Sequence, residues 1–356
     1  PERLYKVKDA IDVPGEEANL EMVPKTSVEV DEDKKIVDTN IYGAFPRRAV
    51  FTEGLGCTLL TKGQESHSHT VKSHPIAKPD PSINWPHGSA KPAEMANISS
   101  IIEKAFVEVD ATKPRNTKAV AVIHKGELIA EHYAEGVNSD TPLIGWSMTK
   151  SITGLLVGML VKDETLDISK PANVPLWQAQ ADDKRAAITL DQLMRMSSGL
   201  KFDETYDIFS DVSHMLSNEE NAGEYAASLP LEYAPDTHWS YSSGTTNIIS
   251  LIVKNAVGGS LQDYYNFVQN RLFRPLNIST ATVEIDAGGT YIGSSYSYLS
   301  ARDWARLGQF ALQNGRWEDN LVHPEIGISY YPITGWPIAP RQHLPMTLTI
   351  TVHSFG

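Results

Sequence analysis

Gly145-Trp146-Ser147-Met148-Thr149-Lys150-Ser151 runs directly into Ile152-Thr153-Gly154-Leu155-Leu156-Val157-Gly158-Met159-Leu160-Val161. A serine is followed three residues later by a lysine, and the segment after them is apolar almost all round. A helix of that kind belongs in the interior of a domain. Residues three apart share a helix face, so Lys150 Nζ reaches back towards Ser147 Oγ at the helix entrance. Two polar groups at the buried mouth of an apolar helix fit a nucleophile and its base. The plainer reading makes Ser147 an N-cap and Lys150 a solvated first-turn residue. The S-x-x-K spacing alone does not separate the two.

The chemistry sets a condition on Lys150. A serine hydroxyl attacks carbonyls at neutral pH only when a base takes its proton, and lysine is a base only as the free amine. Its ordinary pKa of about 10.4 must fall to about 7, a differential stabilisation of roughly 4–5 kcal/mol. Burial against the apolar stretch Ile152–Val161 works in that direction. The helix N-terminus also turns N–H groups and a positive partial charge towards Ser147.

The rest of the chain narrows the class of function. It has 356 residues, enough for a large core. Lys and Arg number 31 against 44 Asp and Glu, a formal charge of −13 that argues against a nucleic-acid partner. The single Cys57 excludes an internal disulfide and a cysteine metal cluster. No run of 18 apolar residues is present, so no membrane span is expected. The sequence opens at Pro1 without Met and shows no signal peptide, as expected where processing or trimming has removed one.

Residues 1 to 96 are rich in Pro, Gly, Ser and charge, with Asp9 to Lys35 acidic and irregular. An extended N-terminal arm is expected, lying on the body, with a short strand at Arg48–Phe51. Glu65-Ser66-His67-Ser68-His69, with His74 and His87, raises a zinc site. Glu65 is the only adjacent carboxylate and no cysteine joins the histidines, so a solvated polar loop is the expectation and no metal is assigned. From Asn97 the chain becomes regular. Ile98 to Val107 reads as an amphipathic helix. Ala119 to His124 and Leu128 to Tyr133, joined at Lys125-Gly126, read as a β-hairpin. Thr189-Leu190-Asp191-Gln192 is a capping box ahead of Leu193-Met194, with Gly199 as the stop. Asn247–Val257, Leu261–Phe273 and Ser300–Leu312 are further helices, the last ending at Asn314-Gly315. Strands around a long helical middle make an α+β body.

A second chemical element is Trp239-Ser240-Tyr241-Ser242-Ser243-Gly244. A tyrosine and a serine two apart, in a Gly-containing loop before a helix, can point into one cleft. Tyr241 is then a proton relay between Ser147 and a leaving group, or the base itself if Lys150 stays charged. Beside an ammonium its pKa of about 10 would fall. An ordinary structural tyrosine in a turn is the alternative.

Three motifs in order, Ser147-x-x-Lys150, Leu193-Met194-Arg195-Met196-Ser197-Ser198-Gly199-Leu200 and Tyr241-Ser242-Ser243, resemble the serine β-lactamase-like superfamily. The chain is most similar to its class C β-lactamase, family VIII esterase and 6-aminohexanoate-dimer hydrolase branch, over about residues 97 to 318. The resemblance implies a β-lactamase/transpeptidase-like fold: an antiparallel sheet flanked by helices, with a helical subdomain at about 155–285. It divides the chain into an arm, 1–96, and a serine hydrolase domain, 97–356. It implies an acyl-enzyme on Ser147, with Lys150 as base or relay and Tyr241 as the tyrosine of the Y-x-[NS] motif. Ser243, as that motif's third residue, is expected at the substrate amide or ester. In Phe202-Asp203-Glu204-Thr205-Tyr206-Asp207, Tyr206 resembles the loop tyrosine that closes over the amide in nylon-oligomer hydrolases. Trp146 is the further expected substrate contact, and no cofactor is implied.

Two departures shape the expectation. Lactamases of the branch usually carry Asn where Ser243 stands, which favours esters and linear amides. The third motif, Lys-[Thr/Ser]-Gly or His-x-Gly on an edge strand, has no good copy, since Ile333-Thr334-Gly335 lacks the lysine and His353-Ser354-Phe355-Gly356 is no closer. From Leu321 onward the sequence is atypical for the family's closing strands and helix. Either the chain is altered there or the sheet closes unusually. An α/β-hydrolase elbow is set aside because Gly145-Trp146-Ser147-Met148-Thr149 lacks the second glycine. The expected activity is hydrolysis of small esters or linear amides by a monomer or homodimer. β-Lactam or D-Ala-D-Ala peptide cleavage is the alternative, as is a weakly active or non-hydrolytic ligand-binding relative. Phe51-Thr52-Glu53-Gly54-Leu55-Gly56-Cys57 resembles the arm of exported members, so a periplasmic or secreted location is expected, with the cytoplasm as the other option.

Overall fold

The computed structural model of the protein describes residues 26–41, 44–92, 96–110, 114–317, 320–321 and 347–353. Residues 1–25, Ile333-Thr334-Gly335 and Ser354-Phe355-Gly356 therefore lie outside the described residues. The first elements are strands β1 (Thr26–Asp31), β2 (Ile36–Ile41), β3 (Ala44–Thr52) and β4 (Gly56–Leu59), an antiparallel meander in that order. The strand expected at Arg48–Phe51 lies inside β3, and the other three strands of the meander come from sequence read as irregular. Val28 and Val30 alternate with more exposed Ser27 and Glu29, a period-two signal short enough to be masked by the surrounding acids.

Residues 60–92 cross the body without strand or helix. Val71 and Ile76 pack on the main core, and Trp85 is buried in a second cluster. His67 and His69 are half-buried and stacked on each other, and His69 Nε2 meets Ala287 O at 2.8 Å. The stretch thus touches the body through His69, while Glu65, Ser66, Ser68, His74 and His87 are exposed as a polar loop would be. Among the described residues no group of three or more His, Cys, Asp or Glu is arranged to hold a metal ion.

The regular body begins with helix α1 (Ala96–Ile102), which tightens into a 3₁₀ turn over Glu103–Phe106. Strands β5 (Thr117–His124) and β6 (Glu127–Tyr133) then pair antiparallel. Lys125 and Gly126 both have positive φ, 51° and 84°, as a two-residue hairpin turn of type I′ requires. Strand β7 (Leu143–Ile144) leads into helix α2 (Thr149–Lys162). Ile152, Thr153 and the run from Leu155 to Leu160 are all buried, so the helix expected to be central is central. Each aliphatic side chain buried there contributes about 1.5–3 kcal/mol.

Next come the short helices α3 (Pro175–Gln178), α4 (Leu190–Met194), α5 (Asp211–Asn218) and α6 (Ala222–Ser228). The capping box on Thr189 and Gln192 is formed in both directions. Helix α7 (Ser243–Ala256) starts four residues earlier than its apolar pattern indicated, because Ser242 caps it by accepting the Thr245 N–H. Its Ile248, Ile249, Ile252 and Val253 share the main core with Leu155, Leu156 and Met159 of α2. Helix α8 (Leu261–Val268) runs on into a π turn over Gln269–Phe273.

Strands β8 (Thr282–Val283) and β9 (Ser297–Leu299) join β7 in a small sheet ordered β7-β9-β8. Helix α9 (Ala301–Leu312) is capped by Ser300, and β10 (Arg316–Trp317) pairs with β11 (Asn320–Leu321). The last described element, β12 (Thr347–His353), lies antiparallel to β5. Sheet-forming sequence therefore returns after the atypical C-terminal stretch. Its signal is the alternation of Leu348, Ile350 and Val352 with Thr347, Thr349 and Thr351. The β12-β5-β6 sheet buries one residue set on each face. Ala119, Ala121 and Ile123 pack with Ala301 and Ala305 of α9, whereas Val120 and Val122 pack with Ile102 of α1.

Candidate active site

The site forms where the small β7-β9-β8 sheet hands the chain to α2. Trp146–Met148 is a single 3₁₀ turn, and Trp146 has φ 42°, a left-handed conformation that costs a bulky residue of order 1–3 kcal/mol. The turn leaves Ser147 exposed while Lys150, one turn on, is 2 % exposed.

The ammonium of Lys150 has three donors, and each meets one acceptor. Lys150 Nζ donates to Ser147 Oγ at 3.2 Å, to Ser243 Oγ at 3.0 Å and to the Ser294 carbonyl at 3.0 Å. It also stands 4.9 Å from the centre of the Tyr241 ring. Burial pushes its pKa down to about 8, against a smaller opposing pull from Glu204. Lys150 is thus a buried lysine, and the solvated first-turn alternative is excluded.

Tyr241 is half-buried, and its phenol lies near enough to the Ser147 hydroxyl for that group to pull its pKa down. The expectation that a neighbouring ammonium would acidify this phenol is corrected. Burial is the dominant influence and drives its pKa up, so Tyr241 holds its proton across the neutral range. Lys150, rather than Tyr241, is the group on its way to being a free base.

Ser243, expected at the substrate, is fully buried. Its hydroxyl accepts from Lys150 and donates to Glu204 Oε1 at 2.5 Å, and its N–H donates to Glu204 Oε2 at 2.7 Å. Glu204 therefore sits at the first turn of α7, where the positive end of the helix favours a carboxylate. Burial nonetheless lifts its pKa, with Ser243 and Lys150 opposing. Gly244 permits this approach, because a Cβ there would stand 2.4 Å from the Phe202 ring. Without that side chain, the loop carrying Phe202 and Glu204 lies flat on the helix.

Tyr206, on the same loop, has φ 60°, and its phenol lies near both Ser243 and Glu204. Burial first, then Glu204, pushes its pKa up to about 12. Trp146 turns its ring edge-on to Tyr296, with centroids 5.9 Å apart. The segment carrying the Ser294 carbonyl is bound to α2 by Thr153, which donates to Gly293 O at 2.8 Å, and by Thr149, 2.6 Å from Ser297 Oγ. Ser147, Lys150, Tyr241, Ser243 and Tyr206 thus converge, with Trp146 beside them. The sequence model of the family described as Beta-lactamase matches residues 102–324.

The chain belongs to the Beta-lactamase family.

Relatives of this Beta-lactamase family chain include the 6-aminohexanoate-dimer hydrolase of Paenarthrobacter ureafaciens, 24 % identical over 215 residues. That match covers 56 % of this chain and 53 % of the relative, so the chain spans about half the relative's length. A structure described as a 6-aminohexanoate-dimer hydrolase from Bacillus anthracis superposes with TM-score 0.56 at 19 % identity, over 71 % of this chain and 69 % of that one. One described as a β-lactamase from Bacteroides dorei DSM 17855 gives 0.53 at 18 % identity, over 69 % and 73 %. The fold is accordingly β-lactamase/transpeptidase-like, mixed α+β.

Two groups in this Beta-lactamase family site escaped sequence reasoning, the Glu204 carboxylate and the Ser294 carbonyl. Glu204 stands two residues before a tyrosine that was singled out. Nothing in the sequence announces that it faces Ser243, 39 residues on. A backbone carbonyl carries no side-chain signal at all.

Proposed function

We propose that the protein is a serine hydrolase that cleaves small esters or linear amides through an acyl-enzyme on Ser147. The observation that carries this reading is the placement of one hydroxyl beside both an amine and a phenol. Ser147 Oγ is 3.2 Å from Lys150 Nζ and lies near enough to the Tyr241 phenol to influence its titration. In its free-amine form Lys150 takes the Ser147 proton as Oγ bonds to the substrate carbonyl carbon. The Ser147 N–H is one donor to the resulting oxyanion, a contact worth about 3 kcal/mol. Tyr241, which keeps its proton, passes it to the leaving group and is reprotonated from Lys150. Water then releases the acyl group by the same steps in reverse.

Preference for esters and linear amides is supported by Ser243 in place of the asparagine usual in the branch's lactamases. The relative named for a 6-aminohexanoate dimer, two units joined by a linear amide, supports it further. Tyr206 and Trp146 are the proposed substrate contacts at the rim. A periplasmic or secreted location rests on the resemblance of residues 51–57 to the arm of exported members, and a monomer or homodimer is proposed. Among the described residues no helix is long and apolar enough to cross a membrane.

The test is release of p-nitrophenol from p-nitrophenyl butyrate, followed through burst and steady state. Ser147→Ala should abolish both phases. A variant that keeps the wild-type rate removes the assignment, and a single equivalent of product without turnover identifies an acylated binder instead.

A further inference from the structure

Lys150 and Glu204 are joined through one hydroxyl. Ser243 Oγ accepts from Lys150 Nζ at 3.0 Å and donates to Glu204 Oε1 at 2.5 Å. Each partner uses the serine in the direction that proton passage needs. The second carboxylate oxygen is pinned by the Ser243 N–H at 2.7 Å, so the carboxylate cannot swing away without breaking a charge-assisted bond. The intervening hydroxyl has no access to water. This is a closed, three-member path from the base of the reaction to an acid that the reaction scheme does not use.

We infer that Glu204 holds the proton Lys150 must shed, receiving it through Ser243, so that the free amine forms without loss of a proton to solvent. In the resting pair Lys150 is an ammonium and Glu204 a carboxylate. One N–H bond of Lys150 breaks towards Ser243 Oγ as the Ser243 O–H proton moves to Glu204 Oε1. The products are an amine, an intact hydroxyl and a carboxylic acid. Net charge is unchanged. The amine then accepts the Ser147 proton as Oγ forms its bond to the acyl carbon. Burial disfavours the charged form of both groups, pushing the lysine down and the glutamate up, so the neutral pair lies within reach. The other titratable groups facing this pair are Tyr206 and Tyr241, both driven up by burial and neutral throughout the working range. The hydrogen bonds of Glu204 go to Ser243 and not to Ser147, so it is a positioning residue acting through Ser243. Ser243 is correspondingly an internal relay.

The inference rests on the serine hydrolase reading, and the pH dependence of kcat/KM for p-nitrophenyl butyrate separates the two. In the wild type the reactive neutral pair is a tautomer of the ion pair, so the rate stays level until the pair gains a second proton. In Glu204→Gln the amine forms only by losing a proton to water, and the rate falls about tenfold per pH unit below the lysine pKa. The acidic limb of the variant should therefore lie at least about one unit higher, with a deficit of tenfold or more near pH 6 that closes towards pH 9. Ser243→Ala should show the same displaced limb, and adding it to Glu204→Gln should cost nothing further. This second variant decides the matter if the first does not fold.

A uniform loss at every pH with the limb unmoved would make Glu204 a brace for α7 and overturn the relay alone. So would a limb that moves in Glu204→Gln and stays put in Ser243→Ala. A wild type without Ser147-dependent turnover overturns the relay and the hydrolase reading together.

Discussion

The indole of Trp304 lies across the α-carbon of Gly145, so close that a Cβ on the glycine would stand 2.2 Å from Trp304 Cζ2. Trp304 belongs to α9, and its Nε1 donates to Leu143 O in the strand before the Ser147 turn, at 3.4 Å. The helix that covers the main sheet thereby also sets the height at which the Ser147 turn leaves β7. A residue of no chemical interest decides where Ser147 sits.

Gly145→Ala should accordingly damage both stability and rate. The methyl group must displace the indole or the turn, and overpacking of this kind costs about 1–3 kcal/mol. Urea denaturation should show the loss, and p-nitrophenyl butyrate turnover should fall further than the remaining folded fraction explains. Full activity in a stable Ala variant would show that Trp304 yields and that the turn is not held by it.

Tyr241→Phe separates ring from hydroxyl. The aromatic face over Lys150 remains, while the phenol beside Ser147, and with it the proposed proton for the leaving group, is lost. An amine leaving group needs that proton, whereas p-nitrophenolate departs without it. Cleavage of a linear amide should fall about 10²- to 10⁴-fold and cleavage of the nitrophenyl ester much less. Equal losses on both substrates would remove Tyr241 from the protonation of the leaving group.

Glu284 joins the meander to the body. It is 8 % exposed and accepts the Cys57 N–H at 2.7 Å. Burial pushes its pKa up from 4.5 to about 8. A carboxyl raised on folding binds more protons in the native state between those limits. Its contribution is whole below about pH 4.5 and is lost as pH rises towards 8. Glu284→Gln keeps an oxygen for Cys57 and cannot ionise. The variant should gain on the wild type over that interval, by on the order of 2–4 kcal/mol at the upper end. Urea midpoints at both ends of the range measure this, and a difference independent of pH would mean that Glu284 finds water or a cation when it ionises.

Features set by neighbours in sequence were legible beforehand. The Ser147–Lys150 contact follows from an i,i+3 spacing at a helix entrance. The hairpin follows from two alternating runs around Lys125-Gly126, and the Thr189–Gln192 capping box from four consecutive residues. Arrangements that join distant segments were not legible. The meander was hidden because its strands bury little and so carry weak alternation, and β12 because a short threonine-rich run was overshadowed by the prolines before it.

By itself the sequence determined that Lys150 would stand one helical turn from Ser147 at the mouth of a buried helix, since helix geometry and an apolar face dictate both. Only the tertiary structure decided what that lysine answers to. The fate of Ser243, the facing of Glu204 and the rise rather than fall of the Tyr241 pKa all depend on which surfaces close over one another. Desolvation is a property of packed neighbours, and no spacing along the chain encodes it.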